Sequence, residues 1–166
     1  MSPLTLFHID TATLVVESPE FGENGMIPAK FACEGENINP TLNIRNIPKE
    51  TQSLALIMED PDAPHGTFDH WIVWNIPPQD TIAENTVPGT VGKNGKEENN
   101  YTGPCPPSGT HHYHFKVFAL DTVLDLPENQ TDKAALEKAM EGHIIGTGVL
   151  IGLFEKTSDT PTPEGQ

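Results

Sequence analysis

The stretch His-His-Tyr-His-Phe-Lys-Val-Phe-Ala-Leu-Asp, residues 111–121, carries the clearest structural signal in this chain. From Tyr113 to Ala119 its odd-numbered positions are aromatic or aliphatic, whereas His112 and His114 occupy even-numbered positions. Successive side chains of a strand point to opposite faces of its sheet, so this alternation predicts a strand with one buried face. His111 and Tyr113 begin that face, and we expect them where the apolar core gives way to a polar mouth.

Strand patterns recur elsewhere in the chain, whereas a helix is predicted only at residues 132–141. Thr131 or Asp132 can cap that helix, and Gly142 can end it. Because one helix cannot cover a large parallel sheet, we expect an all-β, β-dominated fold, an antiparallel two-sheet sandwich of Greek-key type with this one short helix. The other predicted strands, rich in Val, Ile, Leu and aromatic residues, are residues 13–18, 53–59, 70–76 and 147–154.

The chain length of 166 residues fits one domain, which we expect to span residues 1–156. Residues 86–102 are polar and contain several glycines, which predicts a long surface loop that can form a pocket wall. Residues 157–166 combine Thr, Pro, Ser, Gly and acids without an apolar anchor, which predicts a disordered tail.

Charge and composition restrict the classes of partner. The chain has 24 acidic and 9 basic residues and a formal net charge of −15, which disfavours nucleic acids and anionic membranes as partners. No apolar run reaches transmembrane length, and the first residues lack a signal-peptide pattern. We therefore expect a cytoplasmic location without stable membrane insertion, and Cys33 and Cys105 as free thiols.

Two polar motifs lie beside the predicted strands: Asp60-Pro-Asp-Ala-Pro with His70-Trp downstream, and the proline-rich residues 103–109 ahead of His111. Stiff loops that open into apolar strands can hold polar side chains around a small cavity. Two imidazoles and the Tyr113 phenol can donate hydrogen bonds to an anion, so we predict a pocket for a small anionic ligand. Beside an anion, Asp60 must orient a histidine, share a proton or pair with an amine on the ligand.

Each of these residues also has a purely structural alternative. His70 and His111 can tie strands together, and Tyr113 can be a core residue with a satisfied hydroxyl. Asp60 and Asp62 can form turns with the prolines that follow them. These alternatives stay open from the residues alone.

The order and spacing of the motifs resemble those of the phosphatidylethanolamine-binding protein family, in its bacterial and archaeal branch related to Raf kinase inhibitor protein. The resemblance covers nearly the whole chain. The matching motifs are Cys33-Glu-Gly35, Asn39-Pro40, Asp60-Pro-Asp-Ala-Pro64, His70-Trp71, Asn75-Ile-Pro77, Tyr101-Thr-Gly-Pro-Cys-Pro-Pro-Ser-Gly109, His111-x-Tyr113, Ala119-Leu-Asp121 and Gly142-His-Ile144.

The resemblance implies a two-sheet β-sandwich with a small pocket that in the family accepts phosphate, acetate or the phosphoethanolamine head group. Asp60, His70, His111 and Tyr113 match the family's pocket residues. Pro64 and Pro106 or Pro107 resemble the family's pocket walls, and Asp62 resembles a supporting acid in the loop that carries Asp60.

One position departs from the family pattern: His112 stands where the motif usually has Arg. If that Arg pairs with the loop acid, a histidine would pair more weakly and only when protonated. The rigidity of the loop that carries Asp60 is then in question.

The function we expect is non-catalytic binding of a small phosphorylated or carboxylated ligand. A signalling regulator that inhibits a kinase or another protein partner is the alternative that the resemblance implies, and a weak hydrolase using the His and Asp residues is less favoured. Cys105 shows no sign of activation as a nucleophile. His112 and His114 are too few to hold a metal, so neither metal nor cofactor is expected. The resemblance to the prokaryotic branch also allows a homodimer.

Overall fold

The computed structural model of this chain describes residues 11–156, so the predicted tail at residues 157–166 lies outside the described part. Within it, ten strands and one α-helix follow one another along the chain. They are β1 (Ala12–Thr13), β2 (Val15–Glu17), β3 (Gly25–Met26), β4 (Leu42–Arg45), β5 (Ser53–Asp60), β6 (Phe68–Ile76), β7 (Thr81–Ile82), β8 (Thr90–Val91), β9 (Thr110–Leu120), α1 (Lys133–Met140) and β10 (Ile144–Glu155).

The strands form two sheets, which confirms the predicted β-dominated two-sheet architecture. The larger has seven strands in the order β1-β10-β9-β5-β6-β8, with β3 also beside β10, and the smaller has the order β2-β4-β7. The long ladders β10–β9, β9–β5 and β5–β6 are antiparallel, as expected. The exceptions are β1 and β3, which pair in parallel with β10. A parallel pair needs a long connection, and most of the chain lies between these short strands and β10.

The hydrophobic core lies between the two sheets. Leu56 and Met58 of β5, and Phe115 of β9, meet Leu42 and other apolar side chains of the smaller sheet there. All eight residues of β5 are buried, because α1 covers the opposite face of the large sheet. A strand that is buried on both faces carries a continuous apolar run, which is what residues 54–58 show.

The helix α1 begins after Asp132, whose side chain accepts a hydrogen bond of 3.0 Å from the Ala135 amide. Leu136 and Met140, four residues apart, point from one face of the helix onto the sheet. Gly142 follows with φ of 82°, a conformation that costs glycine little. The predicted helix at residues 132–141 is thus confirmed to within one residue at each end.

The prediction that Cys33 and Cys105 are free thiols is wrong, because the two form a disulfide with Cα atoms 5.5 Å apart. The prediction rested on an assumed reducing compartment, and a separation of 72 residues in sequence gives no sign of contact. The fold brings the two segments together, and the Cys33 amide donates to the Pro104 carbonyl over 3.0 Å.

The segment at residues 86–102 is less exposed than its polar composition predicts. Asn94 is 5% exposed, and its side-chain oxygen accepts bonds from the amides of Lys96 and Glu98. Thr102 is also buried. A side-chain amide that hydrogen-bonds backbone groups allows a polar segment to pack closely. The composition of residues 86–102 alone therefore predicted more exposure than this segment has.

Candidate functional site

Asp60, His70, His111 and Tyr113, hereafter the polar cluster, come together at one end of the core. Asp60 ends β5, His70 lies near the start of β6, and the other two residues begin β9. Asp60, His70 and Tyr113 are fully buried, and His111 is 7% exposed. His111 is therefore the member of the polar cluster that reaches the surface.

Asp60 orients its neighbours through both carboxylate oxygens. Its Oδ2 lies 2.6 Å from Nδ1 of His111, and its Oδ1 accepts a 2.8 Å bond from the Asp62 amide. The second bond closes the Asp-Pro-Asp turn, which is a common use of an aspartate side chain. This geometry supplies one of the roles considered for Asp60, the orientation of a histidine.

His70 faces the polar cluster because β6 contains a bulge. In the β5–β6 ladder Met58 is paired with Trp71 and Glu59 with Asp69, which leaves His70 as the extra residue. A bulge of this kind re-aims a side chain. His70 consequently joins Trp71 on the side of the inter-sheet core, although strict alternation would place it with Ile72 on the helix face.

The hydrogen bond at Nδ1 fixes what the His70 ring can offer. Nδ1 lies 2.7 Å from the carbonyl oxygen of Thr102, and a carbonyl can only accept, so Nδ1 carries the hydrogen. Burial lowers the pKa of His70 to about 4, against the opposing effect of the Thr102 bond and the Asp60 charge. At neutral pH Nε2 is therefore an acceptor, not the donor expected from the sequence.

Tyr113 packs between the two histidines. Its ring lies edge-on to His70 with centroids 5.2 Å apart, and it stacks at 22° against His111 with centroids 6.4 Å apart. Phe68 contacts the His70 ring edge-on at 4.9 Å. Aromatic contacts at these distances hold the rings in place.

The loop acid Asp62 is held by His112. Its Oδ2 accepts bonds from the backbone amide of His112, at 2.8 Å, and from the ring Nδ1, at 2.7 Å. Partial burial raises the pKa of Asp62, but the bonds from His112 outweigh it and hold the pKa below its usual value. The ring bond does not require a protonated His112, because a neutral ring with hydrogen on Nδ1 also donates.

The predicted wall residues occupy different environments. Pro64 is exposed in the loop between β5 and β6, whereas Pro106 is buried and Pro107 is half-buried in the loop before β9. Pro106 lines a cavity of about 230 Å³ together with Phe154, whose backbone pairs with that of His111 in the β9–β10 ladder. The cavity is thus next to the cross-strand partner of His111, although none of the four residues of the polar cluster lines it.

The loop before β9 is tied to the body of the protein by contacts that the sequence did not reveal. The Gly103 amide donates to Oδ1 of Asn37 over 2.7 Å, and a Cβ at Gly103 would overlap the carbonyl oxygen of Phe31. The disulfide fixes the same loop at Cys105. Cys33 and Cys105 each lie within a motif that matches the family. That shared match was the sign in the sequence that the two cysteines could lie close together.

Behind the polar cluster, on the helix face, lies a group of alternating charges. Lys133 of α1 lies 3.0 Å from Glu59 and 2.9 Å from Asp69, the residues that immediately precede Asp60 and His70. Lys116 of β9 lies 2.7 Å from the other oxygen of Glu59. Although partial burial raises the pKa of Glu59, the two lysines bring it below its usual value.

Of the two histidines considered as metal ligands, His112 and His114, the first is bonded to Asp62. Within residues 11–156, no three or more His, Cys, Asp or Glu residues are grouped so that they could hold a metal ion. In the same part of the chain, no helix combines the length and apolar character that crossing a bilayer requires.

Comparison with known proteins places this geometry in a family. A family model described as phosphatidylethanolamine-binding protein matches residues 17–155. A UPF0098 protein of Pyrococcus abyssi is 50% identical over 155 residues, which cover 86% of each chain. A UPF0098 protein of Methanothermobacter thermautotrophicus is 47% identical over 144 residues, with 82% of this chain and 95% of that protein covered.

Two solved structures have the same fold. A phosphatidylethanolamine-binding protein homologue from Chlamydia trachomatis gives a TM-score of 0.84 at 39% identity, covering 89% of this chain and all of that one. Escherichia coli YbcL, described as a member of the mammalian PEBP family, gives 0.79 at 28% identity over 87% of this chain and 99% of its own. The chain therefore belongs to the phosphatidylethanolamine-binding protein family.

Proposed function

We propose that this protein is a non-catalytic binding protein whose polar cluster takes a small phosphorylated or carboxylated ligand. The observation that carries the proposal is the convergence of four polar side chains from three strands at the end of an apolar core. Burying such groups has a free-energy cost that a purely structural role could avoid with apolar residues. A ligand-binding role explains why the strands end in this way.

The chemistry of the polar cluster suits a small anion near the surface. His111 is partly accessible, and the Tyr113 hydroxyl is a hydrogen-bond donor on the same strand face. The nearby cavity, lined in part by Pro106 and Phe154, gives apolar area for the rest of a small ligand. One solved relative is described as a phosphatidylethanolamine-binding protein homologue, which favours phosphoethanolamine as a probe.

The absence of turnover is part of the proposal. Cys105 cannot act as a nucleophile while it is bonded to Cys33. The alternative of a weak hydrolase would require another activated nucleophile beside the histidines. The cytoplasmic location stays a prediction, and the disulfide is more typical of an oxidising compartment.

Calorimetric titration with phosphoethanolamine, inorganic phosphate and acetate tests the proposal. His111→Ala and Tyr113→Phe should each weaken binding by about 1.5–3 kcal/mol, roughly 10- to 150-fold, if each removes a bond to a charged group. The matched control is His114→Ala, on the same strand but the opposite face, which should leave affinity unchanged. Equal losses in all three variants, or none in the first two, would place the ligand elsewhere.

A further inference from the structure

The starting observation is an unusual buried nitrogen. His70 is fully buried, its Nδ1–H is used by the Thr102 carbonyl, and its Nε2 meets no hydrogen-bond partner within residues 11–156. In the neutral ring that nitrogen carries a lone pair, and a fully ionised oxyanion also presents only lone pairs. The two can approach closely only if a proton lies between them.

The charged and titratable groups around the ring determine whether that proton is present before the ligand arrives. Asp60, on the neighbouring strand, favours a charged ring, whereas Lys96, in the loop after β8, opposes it. From β9, Tyr113 contacts the ring edge-on, and His111 stacks on Tyr113. On the strand of His70 itself, Asp69 is paired with Lys133 on the opposite face.

Burial dominates this balance, and the pKa near 4 keeps the ring neutral at physiological pH. An anion placed at Nε2 would supply the negative charge that a buried imidazolium needs, and would thus favour uptake of a proton. A ligand that already carries an acidic hydroxyl would bring that proton with it.

We infer that the polar cluster binds its anion together with one proton shared between His70 Nε2 and a ligand oxygen, and therefore selects the monoanion of a phosphomonoester over the dianion. The inference rests on the proposed function and names the ionic form of the ligand. A phosphomonoester loses its second proton near pH 6, so the preferred form is a minor species at neutral pH. Binding there would be coupled to proton uptake.

Two probes distinguish a proton that the ligand brings from one that is taken up from solution. Methyl phosphate carries its own P–OH below about pH 6, whereas dimethyl phosphate keeps one negative charge and no hydroxyl throughout the range. Affinity for methyl phosphate should be flat below about pH 6 and fall about tenfold per pH unit above it. Affinity for dimethyl phosphate should fall about tenfold per unit already from pH 5 upward.

Calorimetry in two buffers of different ionisation enthalpy measures the protons directly. At pH 5.5, binding of dimethyl phosphate should be accompanied by uptake of about one proton per ligand bound, and binding of methyl phosphate by much less. At pH 7.5, binding of either ligand should be accompanied by uptake of about one proton. Equal affinity at all pH values with no proton uptake would overturn the inference and leave the proposed function intact. No binding of either probe at any pH would overturn the inference and the phosphate-binding form of the proposed function, whose carboxylate form the acetate titration tests.

A pair of variants assigns the proton to His70. The amide of His70→Gln can donate without protonation, so this variant should bind dimethyl phosphate with an affinity independent of pH. His111→Gln should keep the pH dependence. The reverse result would place the proton on His111 and overturn the assignment. If His70→Gln does not fold, the uptake measured on the unaltered protein still decides between the outcomes, and its ring tautomer is observable by nitrogen NMR.

Discussion

At the scale of single residues, the partner of each imidazole determines its chemistry. His70 donates to a backbone carbonyl, His111 is held by the buried carboxylate of Asp60, and His112 is held by a half-exposed Asp62. The same side chain is therefore a buried neutral acceptor in one place and a carboxylate-bound ring in two others. Composition alone treats these three as equivalent.

The depressed pKa of His70 predicts a loss of stability in mild acid. The unfolded ring titrates at 6.5 and the folded ring at about 4, so below pH 6.5 the unfolded state binds the extra proton and stability falls. His70 should contribute a loss of about 3 kcal/mol by pH 4. Urea unfolding from pH 7 to pH 4 measures it. His70→Gln should remove this component, whereas the exposed control His65→Gln should retain it, and identical profiles for all three proteins would contradict the buried neutral ring.

At the scale of elements, side-chain alternation predicted the long strands and could not predict the rest. The central residues of β5, β6, β9 and β10 match the predicted strands within a few residues. Burial of one face of a strand leaves an alternating apolar pattern, and burial of both faces leaves a continuous apolar run. The two-residue strands β1, β3, β7 and β8 depend on their partners and leave no pattern of their own.

The orientation of His70 illustrates the same limit within a strand. The alternation of Ile72 and Trp74 would assign His70 to the helix face, and the bulge that reverses it has no signature in residue type. The polar motif and the family resemblance, not periodicity, placed His70 in the candidate site. Asp60, His111 and Tyr113, by contrast, lie on the face that alternation predicts.

The helix α1 stabilises the ends of β5 and β6 through Lys133. Lys133→Met should leave Asp69 without this ion pair and raise the pKa of Glu59, and we expect a loss of about 1–3 kcal/mol in the free energy of unfolding. Urea unfolding at pH 7 gives this value. Lys138→Met, exposed on the same helix, should change stability by less than about 0.5 kcal/mol. A similar effect of both substitutions would show that the ion pairs add nothing.

At the scale of the whole molecule, the disulfide joins the segment after Phe31 to the loop that leads into His111. The sequence could not predict it, because the pairing depends on a fold that brings two distant segments within 5.5 Å. A cross-link that closes a loop of 72 residues restricts the unfolded chain strongly.

Replacing both cysteines, Cys33→Ser with Cys105→Ser, should lower the free energy of unfolding by about 4 kcal/mol. Thermal and urea unfolding give the value, and the unaltered protein under reducing conditions should show a similar loss. The decisive control is a thiol titration of the unfolded, unreduced protein, which should detect no free thiol. Two reactive thiols in that titration would refute the disulfide.

The central claim, that the polar cluster binds a small anion, is tested most directly by a crystal structure obtained with phosphoethanolamine at mildly acidic pH. We predict phosphate density within hydrogen-bonding distance, about 2.6–3.2 Å, of His111 and Tyr113, with one oxygen facing Nε2 of His70. Density confined to another cavity, such as the one of about 650 Å³ between β2 and β10, would contradict the account.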